Sequence, residues 1–392
     1  MKEFIAKNSR TYYFAILSLF LGSLATFGLE YCVQPILPAI SEAFSVSPSV
    51  ASITMSIGLA GMAISMFLIA TFADRLKRKR TMVIALTVAS ILAIIMSVCN
   101  NLEIIWALRL IQGLLLAGFP ALAVSYVHEE FAPETTGRII GIYVAGTSVG
   151  GFLGRFVTSA LTDVFDWRIG LCIMGISYLI IAIAFFFGLP QGKNHVPKSI
   201  NHMNILGEFK KIFTSPKLMT IYFVGFSVLG SLVTVYNYIP YLLIAPPYEL
   251  SQTVIGSLFV SYLFGGIAAA ILGALADKLG KGNTLSLCII IFLVGVIVTL
   301  SPILWLKILG LIILTVGFFG SHAVACGWVG KCYDGDTARA VSLYMLLYYF
   351  GASIMGTVGG LFYASHGWLG VSAFVGAVLT LSLILVLRYR KE

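Results

Sequence analysis

The chain is predicted to be an all-α membrane protein, with twelve transmembrane helices in two pseudo-symmetric six-helix bundles. Three observations predict it. Of 392 residues, 59% are hydrophobic and only 10% charged, where a soluble globular protein carries about 25% charged residues; most of the surface must therefore face lipid. Twelve apolar runs are each long enough to cross a bilayer. The polar turn Ala70–Arg80 (ATFADRLKRKR) between two such runs returns about two hundred residues later as Gly273–Gly282 (GALADKLGKG).

A spanning helix needs roughly 20 mostly apolar residues. The qualifying runs are 13–37, 49–73, 81–99, 104–128, 138–162, 167–189, 218–244, 253–276, 284–301, 304–329, 339–363 and 367–388. Lipid offers no partner to free backbone groups, so these segments are expected to be helices rather than open strands. The first run is longer than the apolar part of a cleaved leader and is read as a retained span. Six cysteines (Cys32, Cys99, Cys172, Cys288, Cys326, Cys332) are scattered through or beside apolar runs without metal-ligand or disulfide spacing, and read as small apolar filler.

Residues 1–189 are expected to form the N-terminal bundle, 190–217 a cytoplasmic linker rich in proline, glycine and lysine, and 218–392 the C-terminal bundle. In the linker, Ile205, Leu206, Phe209, Ile212 and Phe213 recur at helical spacing beside Lys210 and Lys211. Two readings stay open: a short amphipathic helix on the membrane surface, or a plain solvated linker.

An even number of spans puts both termini on one side. All 25 Lys and Arg except Arg109, Arg155, Arg168 and Lys307 collect there, which leaves 21. The opposite loops carry mainly acids: Glu42, Glu103, Asp163, Asp166 and Glu249. The first side is therefore expected to be cytoplasmic. The net charge of +9 is topological, and nucleic acid is not an expected partner.

A shift of 201 residues lays Arg138 on Arg339, Tyr143 on Tyr344, Gly150 on Gly351, Trp167 on Trp368 and Gly175 on Gly376 without a gap. Spans five and six thus correspond to spans eleven and twelve. Glycines at helical spacing in spans five and eleven (Gly146, Gly150, Gly154; Gly351, Gly356, Gly360) let helices approach closely. Two parallel repeats around a central linker are the layout of a rocking transporter, with its site near the midplane between the halves.

The Ala70–Arg80 and Gly273–Gly282 turns resemble the loop motif of the major facilitator superfamily. The second copy follows the motif closely, while Ala70 and Lys77 replace its glycines in the first. Arg109-x-x-Gln112-Gly113 is similar to the family's fourth-span motif. Gly146-x-x-x-Gly150-Gly151-x-x-Gly154-Arg155 resembles the fifth-span motif of its drug/proton antiporters, with Gly151 for the usual proline and Arg155 for a glycine. The Tyr31–Pro38, Gly150–Arg155, Trp167-Arg168, Ser342–Tyr344 and Tyr348-Tyr349 stretches are similar to the YnfM-type subgroup of bacterial inner-membrane efflux transporters. The resemblance covers nearly the whole chain and implies a multi-pass protein of the cell (inner) membrane, working as a monomer.

A charge in mid-membrane costs about 2.5–3.5 kcal/mol on insertion scales, so each one needs a reason. Glu30 in span one, Arg109 in span four and Arg155 in span five all fall about 6 residues beyond the span midpoints, a common depth of about 9 Å. The functional reading makes Glu30 and Arg109 the proton-coupling pair, Glu30 taking and releasing the proton. The alternative is a static buried ion pair that fixes helix packing. Two arginines and one glutamate at one level can satisfy one another and leave net positive charge, so Arg155 has four candidate partners: Glu30, a substrate, Asp163, or the headgroups. A cationic substrate would compete with the proton for Glu30 and favour exchange and export. An anionic group held by the arginines would favour carrying proton and substrate together. Gln34 in span one, Tyr236, Asn237 and Tyr241 in span seven, His322 in span ten, and Tyr344, Tyr348 and Tyr349 in span eleven are candidates to line the cavity; the bland reading for each is packing.

The resemblance also implies a cytoplasmic gate: a charge triad of Asp74, Arg78 and Glu129 or Glu130, with Asp74 facing the start of span eleven. By repeat symmetry Asp277 would face span five, with Arg138 and Arg339 as partners. No phosphate loop of the GxxxxGK[ST] form, His-Glu-x-x-His, paired-cysteine motif or nucleophile elbow occurs in the sequence, so neither an enzyme nor a cofactor or metal is expected. The leading expectation is a proton-coupled exporter of a small organic molecule, either drug-like or a carboxylate-bearing or zwitterionic metabolite, working by alternating access. A proton-coupled importer of an organic anion or zwitterion and a transport-dead membrane sensor are the rivals. Small-molecule substrate, protons and the lipid bilayer are the expected partners.

Overall fold

The computed structural model describes residues 4–72, 75–194, 214–333 and 337–389. Among them the regular structure is entirely helical. In the first half α1 is Arg10–Tyr31, α2 Leu37–Ala43, α3 Pro48–Phe72, α4 Arg78–Ser97, α5 Leu102–Leu116, α6 Gly118–Glu130, α7 Pro133–Val164 and α8 Trp167–Gly188. In the second half α9 is Pro216–Ile244, α10 Gln252–Ser257, α11 Ser261–Leu279, α12 Lys281–Val298, α13 Leu304–Cys332 and α14 Thr337–Tyr389.

Eleven helical stretches are long and apolar enough to cross a membrane, the last being Arg339–Tyr389. At 1.5 Å per residue that last stretch would extend about 75 Å, more than two bilayer thicknesses. It folds back instead: His366 leaves helical geometry and Gly367 takes φ 56°, a left-handed value that suits glycine. The result is twelve crossings in two bundles, with side chains such as Ile180, Phe187, Ile267 and Leu361 turned outward to lipid.

Three spans depart from continuous helices. Span one stops at Tyr31 rather than continuing to 37, because Pro35 and Pro38 interrupt the backbone ladder, and α2 follows as a separate short helix. Span four breaks at Ala117 between α5 and α6, three residues before Pro120, whose ring conflicts with the carbonyl four residues back. Span eight is α10, a 3-10 turn Leu258–Val260, and α11. Helix starts on the side away from the termini are capped by side chains, Asn101 accepting from the Glu103 and Ile104 amides and Asp166 from that of Ile169.

The repeat is visible in the packing. Gly150 of α7 lies against the Leu24 backbone of α1, and its repeat partner Gly351 of α14 lies against the Phe226 backbone of α9. A Cβ at either position would run into main chain, so the close approach requires glycine.

The two halves meet on the side away from the termini. There Ser49 donates to the Thr357 carbonyl at 3.0 Å, and the Tyr238 hydroxyl donates to the Gly356 carbonyl at 2.6 Å and lies 3.0 Å from Ser52 Oγ. Thr253 of α10 donates to Asp163 at the end of α7, at 2.7 Å from its hydroxyl. The expected amphipathic helix of the linker, around Phe209 to Phe213, and the gate residue Asp74 lie outside the described residues.

Candidate functional site

Glu30 sits in the last turn of α1, fully buried against Gly58 of α3. Arg109 of α5, equally buried, meets it with Nη2 3.6 Å from Oε1. The arginine's hydrogen bonds go elsewhere. It donates to the carbonyls of Thr54 (3.0 Å), Leu29 (3.2 Å) and Glu30 (2.7 Å), and to Gln112 Oε1 at 2.6 Å. The last carbonyls of a helix lack partners within it and carry the negative end of its dipole. Arg109 therefore closes the end of α1 independently of the carboxylate. Both Glu30 oxygens are left without a hydrogen-bond partner among the described residues.

That reach depends on backbone contact. A Cβ on Gly113 of α5 would collide with the Gly58 carbonyl of α3, so the two helices touch main chain to main chain there. Gln112, one position earlier, donates to the Ala89 carbonyl of α4 at 2.7 Å and fixes the face that α5 presents.

Arg155 of α7 is fully buried as well. Its Nε donates to Gln34 Oε1 at 2.8 Å, Nη1 to the Gly151 carbonyl at 2.7 Å, and Nη2 reaches the Tyr262 hydroxyl at 3.5 Å. Three rings surround the guanidinium carbon: Tyr31 at 4.0 Å, Tyr262 at 4.4 Å and Phe259 at 4.9 Å. No carboxylate comes within ion-pair distance of it among the described residues. Asp163 is not its partner, being taken by Thr253, and full burial removes it from the headgroups. Aromatic faces offset about 2 kcal/mol of a desolvated cation's cost, and a buried charge without a counter-charge costs more than that.

Arg155 also reaches the wall of a cavity of about 420 Å³ between the halves. Tyr31, Tyr143 and Thr147 line it from the first half, and Tyr262, His322 and Tyr348 from the second. Small-molecule sites run roughly 300–1,000 Å³ and combine apolar walls with a few polar groups. Glu30 and Arg109 lie behind this wall rather than on it.

The remaining sequence candidates separate into three groups. His322, Tyr348 and Tyr349 line the cavity, the His322 and Tyr348 rings stacked with centroids 4.4 Å apart, while Tyr344 stands behind them with its hydroxyl 3.1 Å from His322 Nδ1. Gln34 donates to Asn237 Oδ1 at 2.9 Å, so both belong to the junction of the halves. Tyr236 and Tyr241 do not line the cavity. The Tyr236 hydroxyl bonds Ser261 at 2.6 Å and Thr315 at 2.9 Å, backing the rings around Arg155, and Tyr241 stacks with Tyr238 and lies tilted against Tyr363.

At the turns, Arg78 makes a two-pronged pair with Glu129, Nε to Oε2 at 3.2 Å and Nη2 to Oε1 at 2.7 Å. Glu130 takes a different task. Its carboxylate accepts from the Lys193 and Asn194 amides at 3.0 and 2.8 Å and anchors the start of the linker. Asp277 is exposed and pairs with Lys281 one turn along at 3.9 Å, not with span five. Arg138 is exposed, and the halves touch at their other ends, which keeps the second turn away from α7. Arg339 opens span eleven, half-buried.

Tyr31, Phe259, Tyr262, Thr54 and Gly58 complete these sites and are not singled out by the sequence. An aromatic hydroxyl inside an apolar run was the available signal for Tyr31 and Tyr262. Nothing comparable marks Thr54 or Gly58.

The profile of the Major Facilitator Superfamily matches residues 19–245 and again 232–392. The inner membrane transport protein YnfM of Escherichia coli (strain K12) is 35% identical over 390 residues, covering 100% of this chain and 94% of that protein. The uncharacterized MFS-type transporter YybF of Bacillus subtilis (strain 168) is 32% identical over 384 residues, 97% of this chain and 94% of that one. Among solved structures, a bacterial homologue of the human lysosomal transporter Spinster, inward-facing and unoccupied, superposes with a TM-score of 0.77 at 14% identity, over 98% of this chain and 96% of that chain. With twelve crossings, a cavity between pseudo-symmetric bundles and relatives matched over nearly their whole length, the chain belongs to the Major Facilitator Superfamily and is a multi-pass membrane transporter, not an enzyme.

Proposed function

We propose that this transporter couples protons to the movement of a small organic molecule bearing a carboxylate or another anionic group, and that Arg155 receives that group in the cavity between the halves. One observation carries the reading. Arg155 is the charged side chain at the cavity wall, enclosed by aromatic rings and without a counter-ion among the described residues. An anionic substrate supplies the missing charge, and the tyrosine and histidine rings suit its apolar body.

Glu30 is the proton carrier in this reading. It is buried, unbonded at both oxygens and held by one long ion pair, and a carboxylate so enclosed needs a second means of neutralisation during the cycle. An anion arriving at Arg155 reduces the positive field on Glu30 and favours a proton there. Substrate and proton then travel together, which under an inward proton gradient is uptake. The export reading rests on the fifth-span glycine pattern of antiporters and on the similarity to efflux transporters, while a cationic cargo finds no carboxylate on the described wall. The basic side, on this proposal, is cytoplasmic. The cavity lies toward that side while the halves touch at the other, so the conformation is inward-facing.

The test is transport in proteoliposomes of known orientation with an imposed pH gradient, using a panel of radiolabelled aromatic and aliphatic carboxylates and amines. Co-transport predicts accumulation of a carboxylate against its gradient, driven by protons moving the same way. Exchange predicts the opposite polarity, and a sensor predicts binding without flux. Glu30→Gln should lose gradient-driven accumulation and retain counterflow exchange. Full gradient-driven transport in that variant would remove Glu30 from the mechanism.

A further inference from the structure

A second cavity, of about 480 Å³, opens at the basic end of spans three and six and is lined by Lys79, Arg80, Val83, Ile84, Phe186 and Gln191. It shares no residue with the cavity between the halves. Three consecutive cations begin α4, and helical rotation sends them in different directions. Arg78 turns inward to Glu129 and is 5% exposed. Lys79 and Arg80 turn to the groove, where the Lys79 ammonium stands 5.1 Å from the centre of the Phe186 ring. Neither has a carboxylate partner among the described residues.

Below these two charges the groove is apolar and continues into the bilayer. Val83 and Ile84 lie one turn deeper on α4, followed by the exposed Ile91 and Ile95; Phe187, Ile183 and Ile180 are exposed on α8. Two cations without a carboxylate partner among the described residues, and an amide, stand at the interface above a lipid-facing apolar track, and match one kind of molecule: a phosphodiester headgroup with acyl chains attached. A free phosphate would satisfy the cations and leave the apolar walls uncovered. A zwitterionic lipid would bring its own cation to the same place. We propose that this groove binds an anionic phospholipid of the surrounding leaflet, with its phosphate at Lys79 and Arg80 and an acyl chain along Val83, Ile84 and Phe186. The bound lipid steadies the start of α4, next to the turn that Arg78 and Glu129 brace.

Native mass spectrometry of the purified protein in detergent, titrated with phosphatidylglycerol, tests this. Phosphatidylcholine and glycerol phosphate serve as the lipid without net charge and the headgroup without chains. The expected result is retained phosphatidylglycerol, with both controls binding at least tenfold more weakly. Lys79→Gln with Arg80→Gln should weaken phosphatidylglycerol roughly tenfold or more, since each interfacial cation contributes appreciably to anionic-lipid binding. Lys278→Gln with Lys331→Gln, which removes the same charge from exposed positions elsewhere on the basic side, should leave it unchanged. Val83→Trp fills the groove and keeps both cations, and should also weaken it. Equal loss in both double variants, unaltered binding in Val83→Trp, or glycerol phosphate binding as well as the lipid would each overturn the proposal.

Discussion

Gln34 donates its amide to Asn237 across the two halves at 2.9 Å, while its own oxygen accepts from Arg155 at 2.8 Å. The side chain that steadies the cavity's cation is thus also a clasp between the bundles. All three residues are fully buried. A group that draws Arg155 toward the cavity must pull on Gln34, and through it on the junction that closes the far side. Ligand binding and closure share one amide, which is the kind of differential contact that coupling requires.

Asn237→Ala should loosen that closure without disturbing Arg155. Removing a neutral buried hydrogen bond costs about 1 kcal/mol, a population shift of roughly fivefold. Spin labels placed at Glu42 in α2 and at Glu249 in the loop after α9, both exposed and in opposite halves, report it as a longer-distance component in double electron–electron resonance. An unchanged distance distribution would mean that the clasp carries no share of the closure.

The glycine contact between α3 and α5 separates folding from function. Gly113→Ala drives a Cβ into the Gly58 main chain, which cannot move aside, and should cost about 1–3 kcal/mol as overpacking. It should read out as a lower unfolding temperature in detergent. Gly58→Ala instead meets side-chain ends, Arg109 Nη2 at 2.8 Å and Glu30 Oε1 at 3.0 Å. It should keep most of the stability and spread the ion pair, with gradient-driven transport falling more than counterflow exchange.

Much of the architecture is legible in the sequence because lipid leaves the chain few options. Each crossing must be a long apolar helix, and each return must carry its charges to one side, so runs such as 167–189 and 218–244 map nearly onto α8 and α9. The common depth of Glu30 and Arg109 follows from a fixed rise per residue, and the structure brings them to 3.6 Å. Side-chain phase is what the sequence withholds. Arg155 and Asp163 lie two turns apart on α7, so sequence distance admits a pairing among the alternatives. The neighbours Arg155 meets are Tyr31, Phe259 and Tyr262, from α1 and from the other half. Breaks inside spans were hidden for a similar reason: Pro120 sits within an unbroken apolar run whose hydropathy gives no sign of the turn at Ala117.

The pair between Arg78 and Glu129 joins α4 to α6 within one half, so it braces the turn rather than bridging the bundles. Both prongs are charge-assisted, and losing one partner should cost about 1.5–3 kcal/mol. Arg78→Glu and Glu129→Arg should each lower the unfolding temperature. Combining them should recover part of the loss, since the swapped pair restores attraction without the original fork geometry. No recovery in the double variant would place the effect in other contacts of these residues.

Arg155→Lys distinguishes a charge from a shaped cation. A lysine keeps the positive charge but has one compact head, whereas the guanidinium bonds Gln34 and Gly151 while lying among three rings. If the cavity recognises an anion through the planar fork, carboxylate binding should weaken about tenfold in Arg155→Lys, the loss of one good charge-assisted bond. Arg155→Gln, which removes the charge as well, should abolish binding. Isothermal titration of the purified variants with the carboxylate that the transport panel selects gives both values. Equal binding in all three proteins would show that the anion sits elsewhere. The same measurement on Gln34→Ala should give an intermediate loss, because that variant leaves the fork intact and frees only its Nε.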